Sequence, residues 1–232
     1  MERPDLTLYL GGTRSGKSAR AEARALQTRG PVLYVATAEA RPDDPSLLER
    51  IRRHRARRPE DWRTLERPLR LAEGIAAALA RFPARAGRAD EKGPSGKAAS
   101  GSVSDTARSG AGGAHPPVAP VAPFAEDVGG PTILLDCVTL WVSNILFSLP
   151  DPEDATELED AVRAEVEALL GLIERSGCRW LLVSGETGLG GIAPTRLGRA
   201  YDDGLGLANQ LIAARARDVF LVVAGRTLRL EA

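Results

Sequence analysis

Apolar positions change period twice within the first 36 residues. Asp5-Leu-Thr-Leu-Tyr-Leu10 alternates and runs into Gly11-Gly12, which predicts a strand entering a tight turn. Ser18 to Leu26 is built from helix formers, Gly30-Pro31 ends that helix, and Val32-Leu-Tyr-Val-Ala36 predicts a second strand. Ser46 to Arg58 then reads as a helix stopped by Pro59, Trp62 to Glu66 as a short strand, and Leu71 to Arg81 as a helix. Further on, Thr132-Ile-Leu-Leu-Asp136 predicts a fully buried strand, followed by a helix over Val138 to Phe147. Between Glu157 and Arg175, helical spacing puts Leu158, Val162, Val166, Leu169, Leu170 and Ile173 on one face. Trp180 to Ser184 is a strand, and Thr195 to Arg217 a helical region weakened by Gly198, Gly204 and Gly206. It leads to Val219 to Val223, which Gly225-Arg226 turns back into Thr227 to Leu230. This alternation predicts an α/β fold: a mostly parallel sheet flanked by helices, with an antiparallel C-terminal hairpin.

Composition interrupts that picture in one place. From Ala84 to Gly130, 30 of 47 residues are Gly, Ala, Pro or Ser, and the large apolar residues are only Val103, Val118, Val121, Phe124 and Val128. So little apolar area does not offset the entropy of ordering the segment, which predicts a flexible insertion at about 84–130 in one domain spanning 1–232. The chain has 232 residues with 31 basic and 31 acidic side chains, so nothing in its bulk charge favours nucleic acid or an acidic membrane. Its apolar runs are too short for a membrane helix, and the first residues lack a secretory signal's apolar region; a cytoplasmic protein is expected. Cys137 and Cys178 form no disulfide framework and have no metal-like spacing, so both are expected to be buried small hydrophobes. The basic residues are 28 Arg and three Lys, and outside the insertion the only Lys and His are Lys17 and His54.

Gly11-Gly-Thr-Arg-Ser-Gly16-Lys17-Ser18 fits G-x-x-x-x-G-K-[ST] between a predicted strand and a predicted helix, the context a phosphate loop requires. Its backbone N–H groups and the helix N-terminus suit phosphate oxygens, with Lys17 reaching the β- and γ-phosphates and Ser18 ligating Mg²⁺. Asp136, ending an apolar strand, is the expected second acid for the metal, and also fits a cap for the following helix. Arg50 to Arg58 holds six Arg, which alone reads as a solvated basic helix. Helical spacing nevertheless puts Leu47, Ile51, His54 and Arg58 on one face, so His54 extends the apolar stripe. Positive neighbours lower the histidine pKa and keep the imidazole neutral and nucleophilic. A structural histidine, a nucleic-acid patch and a covalent acceptor all remain compatible with that pattern.

Four blocks carry a family resemblance: Gly11 to Ser18; Tyr34-Val-Ala-Thr-Ala38 with Arg50-Ile-Arg-Arg-His-Arg-Ala-Arg-Arg-Pro59 and Trp62-Arg-Thr-Leu-Glu66; Leu135-Asp-Cys-Val-Thr139 with Asn144; and Glu186-Thr-Gly188 through Asn209-Gln210. They resemble the bifunctional adenosylcobinamide kinase/adenosylcobinamide-phosphate guanylyltransferases of cobalamin biosynthesis, the H-R-x-x-R-P-x-x-W block being the specific one. The resemblance implies a RecA-like P-loop fold in which ATP or GTP phosphorylates the aminopropanol hydroxyl of adenosylcobinamide. His54 then attacks the α-phosphate of GTP, and the resulting GMP-histidine passes GMP to the phosphorylated corrinoid. It also implies catalytic roles for His54, Lys17 and Asp136. The implied nucleotide contacts are Gly11, Gly12, Thr13, Arg14, Ser15, Gly16, Lys17, Ser18, Ala36, Thr37, Ala38, Arg55, Ala56, Arg57, Arg58, Glu66 and Asp136. Mg²⁺ on Ser18 and Asp136 and a homotrimer complete the expectation. The chain departs from the family pattern at Asp136, where Glu is common; at Gly185, where Asn is common; at Pro194, one place late; and at Asp202-Asp203.

Two other functions compete. One is a single-activity P-loop kinase for another small alcohol, from which a covalent GMP adduct would distinguish this chain. The other is a nucleotide-dependent switch or nucleic-acid-associated ATPase. With lysines only at 17, 92 and 97, no N-K-x-D guanine motif exists, and the aromatic residues do not interleave with the Arg run.

Overall fold

The computed structural model describes residues 3–39, 45–56, 58–82 and 130–231. Among the described residues, seven strands and six α-helices follow one another as β1 (Leu6–Gly11), α1 (Lys17–Ala25), β2 (Val32–Ala36), α2 (Pro45–Ala56), β3 (Arg63–Glu66), α3 (Leu71–Leu79), β4 (Thr132–Asp136), α4 (Val138–Ser148), α5 (Ala155–Ser176), β5 (Arg179–Gly185), α6 (Arg196–Arg215), β6 (Asp218–Val223) and β7 (Arg226–Leu230). A short 3-10 turn at Gly188–Gly190 lies between β5 and α6. All seven strands form one sheet in the order β3-β2-β4-β5-β1-β6-β7, parallel throughout except for the antiparallel β6–β7 hairpin. The expected α/β architecture is therefore present.

The central strands are apolar at nearly every position because helices cover both faces of the sheet. β2 and β5 are buried along their whole length, while edge strand β7 is exposed throughout. α5 buries Leu158, Val162, Val166, Leu169, Leu170 and Ile173, the face its periodicity predicts. Its first turn is capped by Asp154, whose Oδ1 accepts from the amides of Thr156 and Glu157 at 2.9 and 3.0 Å. At the closed end of the sheet, buried Arg179 donates to Asp5 Oδ2 at 3.0 Å and ties the starts of β5 and β1 together.

α6 runs through its three glycines as one helix; a Cβ on Gly204 would stand 3.0 Å from Leu158 Cδ2, so glycine there lets α6 lie close to α5, whereas Gly206 has open space around it. Two expectations need correction. α2, described over Pro45–Ala56, does not include the expected last residue Arg58, because Pro59 disfavours helical backbone at the residue preceding it. Cys178 is buried, but Cys137 is only half-buried, since it stands just past the open end of β4. Apart from Gly130, the segment read as an insertion lies outside the described residues.

Candidate nucleotide site

Register across the sheet decides what meets what. Glu66 pairs with Ala36 across β3 and β2, Ala36 with Asp136 across β2 and β4, and Gly11 with Gly185 across β1 and β5. These residues form a row along the carboxyl ends of the parallel strands, the edge where open α/β sheets bind ligands. Residues up to 174 positions apart in sequence, Gly11 and Gly185, thus face one cleft edge.

The loop Gly11 to Ser18 leaves β1 and enters α1. Arg14 at φ 59° and Gly16 at φ 97° turn the chain left-handed twice, which points successive amides inward as an anion cradle. The Ser15 amide donates to Gly12 O at 3.2 Å, and Lys17 Nζ reaches back to the same carbonyl at 3.0 Å. The loop rests on the C-terminal hairpin. The Gly225 amide donates to Ser15 O at 2.8 Å, and buried Arg20, on α1, donates through Nε to Gly225 O at 3.0 Å and through Nη2 to the same oxygen. A Cβ on Gly16 would stand 3.2 Å from Gly225 Cα, so the glycine permits this close approach. No local sequence signal announces the brace.

Asp136 is divided between two donors. Ser18 Oγ donates to its Oδ1 at 3.3 Å and the Tyr34 hydroxyl to its Oδ2 at 2.6 Å. A serine hydroxyl and a carboxylate oxygen this close are a hard donor pair on the phosphate side of the cleft, a set that suits Mg²⁺ shared with a triphosphate. Burial, with Asp136 as a further cause, raises the Tyr34 pKa far above the ordinary tyrosine value, so the hydroxyl stays a proton donor. Next to Asp136, burial and that carboxylate push the Cys137 thiol up to about 11, which keeps it protonated and a poor nucleophile.

Thr37 is fully buried. Its Oγ1 donates to Cys137 O at 2.7 Å and accepts from the Cys137 amide at 2.9 Å, while Asn144 Nδ2 donates to Thr37 O at 2.8 Å. The Thr37 side chain thus holds the end of β2 to the start of α4. Ala36 is buried beneath it and Ala38 is half-buried. Gly12, Thr13 and Arg14 are exposed, as are Arg55 and Ala56. Arg55 forms an ion pair with Glu66 across the gap between α2 and β3. Arg58 lays its guanidinium 3.6 Å from the centre of the Tyr34 ring, and Trp62 stacks on that ring with centroids 6.4 Å apart. His54 is in α2, but its side chain, those of Leu47, Arg50 and Arg53, and all of Arg57 lie outside the described residues. Of the other stripe positions, Ile51 and Arg58 are half-buried.

The structure therefore brings Ser18, Asp136 and the arginine segment together, and adds Tyr34 and Trp62. A tyrosine in an otherwise aliphatic strand was the available signal, because a buried phenol needs a polar partner. A third cluster joins the remaining blocks. The Gly185 amide donates to Thr139 Oγ1 at 2.6 Å, Ser184 Oγ to Asn209 Oδ1 at 2.6 Å, and Asn209 Nδ2 to Gly185 O at 3.0 Å. Thr139 Oγ1 would lie 2.9 Å from a Cβ on Gly185, so this glycine, a departure from the family pattern, leaves room for the threonine. Glu186 follows, its amide donating to Gly11 O at 3.2 Å and its Oε1 accepting from the Gly188 amide at 2.8 Å.

Comparisons with known proteins identify the chain's relatives. The family model described as "Cobinamide kinase / cobinamide phosphate guanyltransferase" matches residues 7–83 and 121–230. "Bifunctional adenosylcobalamin biosynthesis protein CobP" of Pseudomonas aeruginosa is 36% identical over 224 residues, covering 97% of this chain and 96% of that protein. "Bifunctional adenosylcobalamin biosynthesis protein CobU" is 31% identical over 231 residues in both Escherichia coli and Salmonella typhimurium, covering 97% of this chain and 99% of each relative.

Proposed function

Because the chain belongs to the cobinamide kinase / cobinamide phosphate guanyltransferase family, we propose that the carboxyl edge of its sheet carries both reactions at one nucleotide site. The enzyme is a cobinamide kinase and cobinamide-phosphate guanylyltransferase that uses ATP or GTP. In the kinase step, the aminopropanol hydroxyl of adenosylcobinamide attacks the γ-phosphorus, the bond to the bridging oxygen breaks, and nucleoside diphosphate leaves. Amides of Gly12 to Ser18 and the Lys17 ammonium hold the phosphates in line, so positioning and charge neutralisation supply the catalysis.

In the transfer step the neutral imidazole of His54 attacks the α-phosphorus of GTP. An N–P bond forms, the α–β P–O bond breaks, and pyrophosphate departs. A phosphate oxygen of the phosphorylated corrinoid then attacks the same phosphorus, the N–P bond breaks, and adenosylcobinamide-GDP is released with His54 restored. Arg55, Arg57 and Arg58 spread the charge that develops on the phosphates, and Glu66 and the Ala36-Thr37-Ala38 turn form the nucleotide wall. Ser18 and Asp136 would hold Mg²⁺, which supplies Lewis-acid stabilisation of phosphate oxygens. We further assign 1–232 to one domain with an insertion at about 84–130, working in the cytoplasm as a homotrimer on adenosylcobinamide and its phosphate, without nucleic acid or membrane insertion.

The observation that carries this reading is the meeting of Ser18 and Asp136 at 3.3 Å, in the same row of strand ends that leads through Ala36 to Glu66 and its partner Arg55. The test is incubation with α-labelled GTP and Mg²⁺ followed by denaturation. Acid-labile, alkali-stable label on the wild type and none on His54→Ala is expected. A folded wild type that never labels would leave only a kinase.

A further inference from the structure

Tyr34 belongs to the site's frame, and its contacts run in three directions at once. Its hydroxyl donates to Asp136 Oδ2 at 2.6 Å, leaving Oδ1 as the oxygen that meets Ser18 at 3.3 Å. Its ring is capped by the Arg58 guanidinium at 3.6 Å and stacked by Trp62 at 6.4 Å, while the residue itself is 1% exposed. A carboxylate at the end of a strand has two torsions and two equivalent oxygens. A buried donor fixed in a strand selects one torsional state and decides which oxygen faces the cleft. A cation over the ring draws electron density from the phenol and strengthens that donor. Arg58 follows the helix that contains His54, so the Tyr34 side chain by itself touches both the acid, 102 residues further along the chain, and the arginine segment.

We propose that Tyr34 is a positioning residue that holds Asp136 in its metal-binding orientation and ties that orientation to the arginine segment of the guanylyl-transfer half of the site. The proposal rests on the reading of Asp136 as a Mg²⁺ acid. Tyr34 touches no reacting atom; it acts through Asp136. The side chain to change is therefore the hydroxyl alone: Tyr34→Phe keeps the ring, the Arg58 contact and the Trp62 stack.

The experiment is calorimetric binding of α,β-methylene-GTP, which His54 cannot cleave, across a Mg²⁺ series for the wild type, Tyr34→Phe, Asp136→Asn and the double variant. The Mg²⁺ concentration for half-maximal binding should rise about tenfold in Tyr34→Phe, the size expected for losing an outer partner of a ligand. Saturating Mg²⁺ should restore binding, and the melting transition should stay cooperative. In the Asp136→Asn background, Tyr34→Phe should add nothing, because its effect passes through that carboxylate. A shift in Asp136→Asn with none in Tyr34→Phe, or an additional Tyr34→Phe effect in the double variant, overturns the positioning role while sparing the metal reading. An unshifted Asp136→Asn overturns both.

Discussion

Adjacent glycines of the phosphate loop should behave differently when each gains one methyl group. A Cβ on Gly11 would lie 2.4 Å from the Val222 carbonyl oxygen and 2.7 Å from Ser15 Oγ. An ordinary carbon–oxygen contact is about 3.3 Å, so roughly 0.9 Å must be found. Ser15 can rotate, but Val222 is backbone in β6, buried and paired on its far side with Thr227 of β7. Relief requires moving the sheet, and overpacking of this kind costs about 3 kcal/mol. For a chain of this size that lowers the melting temperature by roughly 6–12 °C. Around Gly12 a Cβ would meet nothing within 4 Å, and Gly12→Ala should change stability by no more than about 0.5 kcal/mol. Urea unfolding and thermal melts of both variants, without nucleotide, make the comparison. If Gly11 were required only to let the backbone wrap a phosphate, stability without ligand would not move. Equal stability of the two variants would refute the steric argument.

The same logic reaches α6. Gly206→Ala, with open space around its Cβ, should stabilise by about 0.5–1 kcal/mol, the helix-propensity gain. Gly204→Ala should lose that gain against fully buried Leu158 and come out destabilising by denaturant unfolding. Glu165, on α5, accepts from the amides of Arg70 and Leu71, yet burial raises its pKa above the ordinary glutamate value. The folded state therefore holds that proton more tightly, and the associated stability is present at low pH and lost as pH rises through the raised pKa. Glu165→Gln should gain melting temperature relative to the wild type between pH 4 and pH 7; a constant or shrinking difference would contradict the burial effect. Lys17→Ala should suppress both phosphoryl transfer and self-guanylylation in parallel assays while the melt stays cooperative, because its hydrogen bond to Gly12 O is exposed.

The fold was legible because its signals are local. The α5 face repeats at helical spacing, β2 and β4 are short aliphatic runs bounded by turn residues, and the phosphate loop sits between a strand and a helix. Asp136 was legible as a carboxylate ending such a run. Its partnership with Tyr34 was not, because it depends on β2 lying beside β4, which neither strand's own sequence dictates. The helix expected to include Arg58 stops short of it; Arg is a good helix former, and its propensity masked the restriction imposed by Pro59. All three glycines of α6 read alike as weak points, since the sequence shows their entropy cost but not that Gly204 alone accommodates a neighbouring helix.

The hairpin beneath the phosphate loop gives the chain a timetable. β1 and the loop leave the ribosome first among the described elements, whereas Gly225, which grips Ser15, and Val222, which seats Gly11, leave almost last. Until they arrive, the nascent loop lacks the floor against which it is built. Nucleotide capture is thereby deferred until β6 and its turn have emerged, and a chain stalled before β6 would present the signature motif without the support that gives it shape.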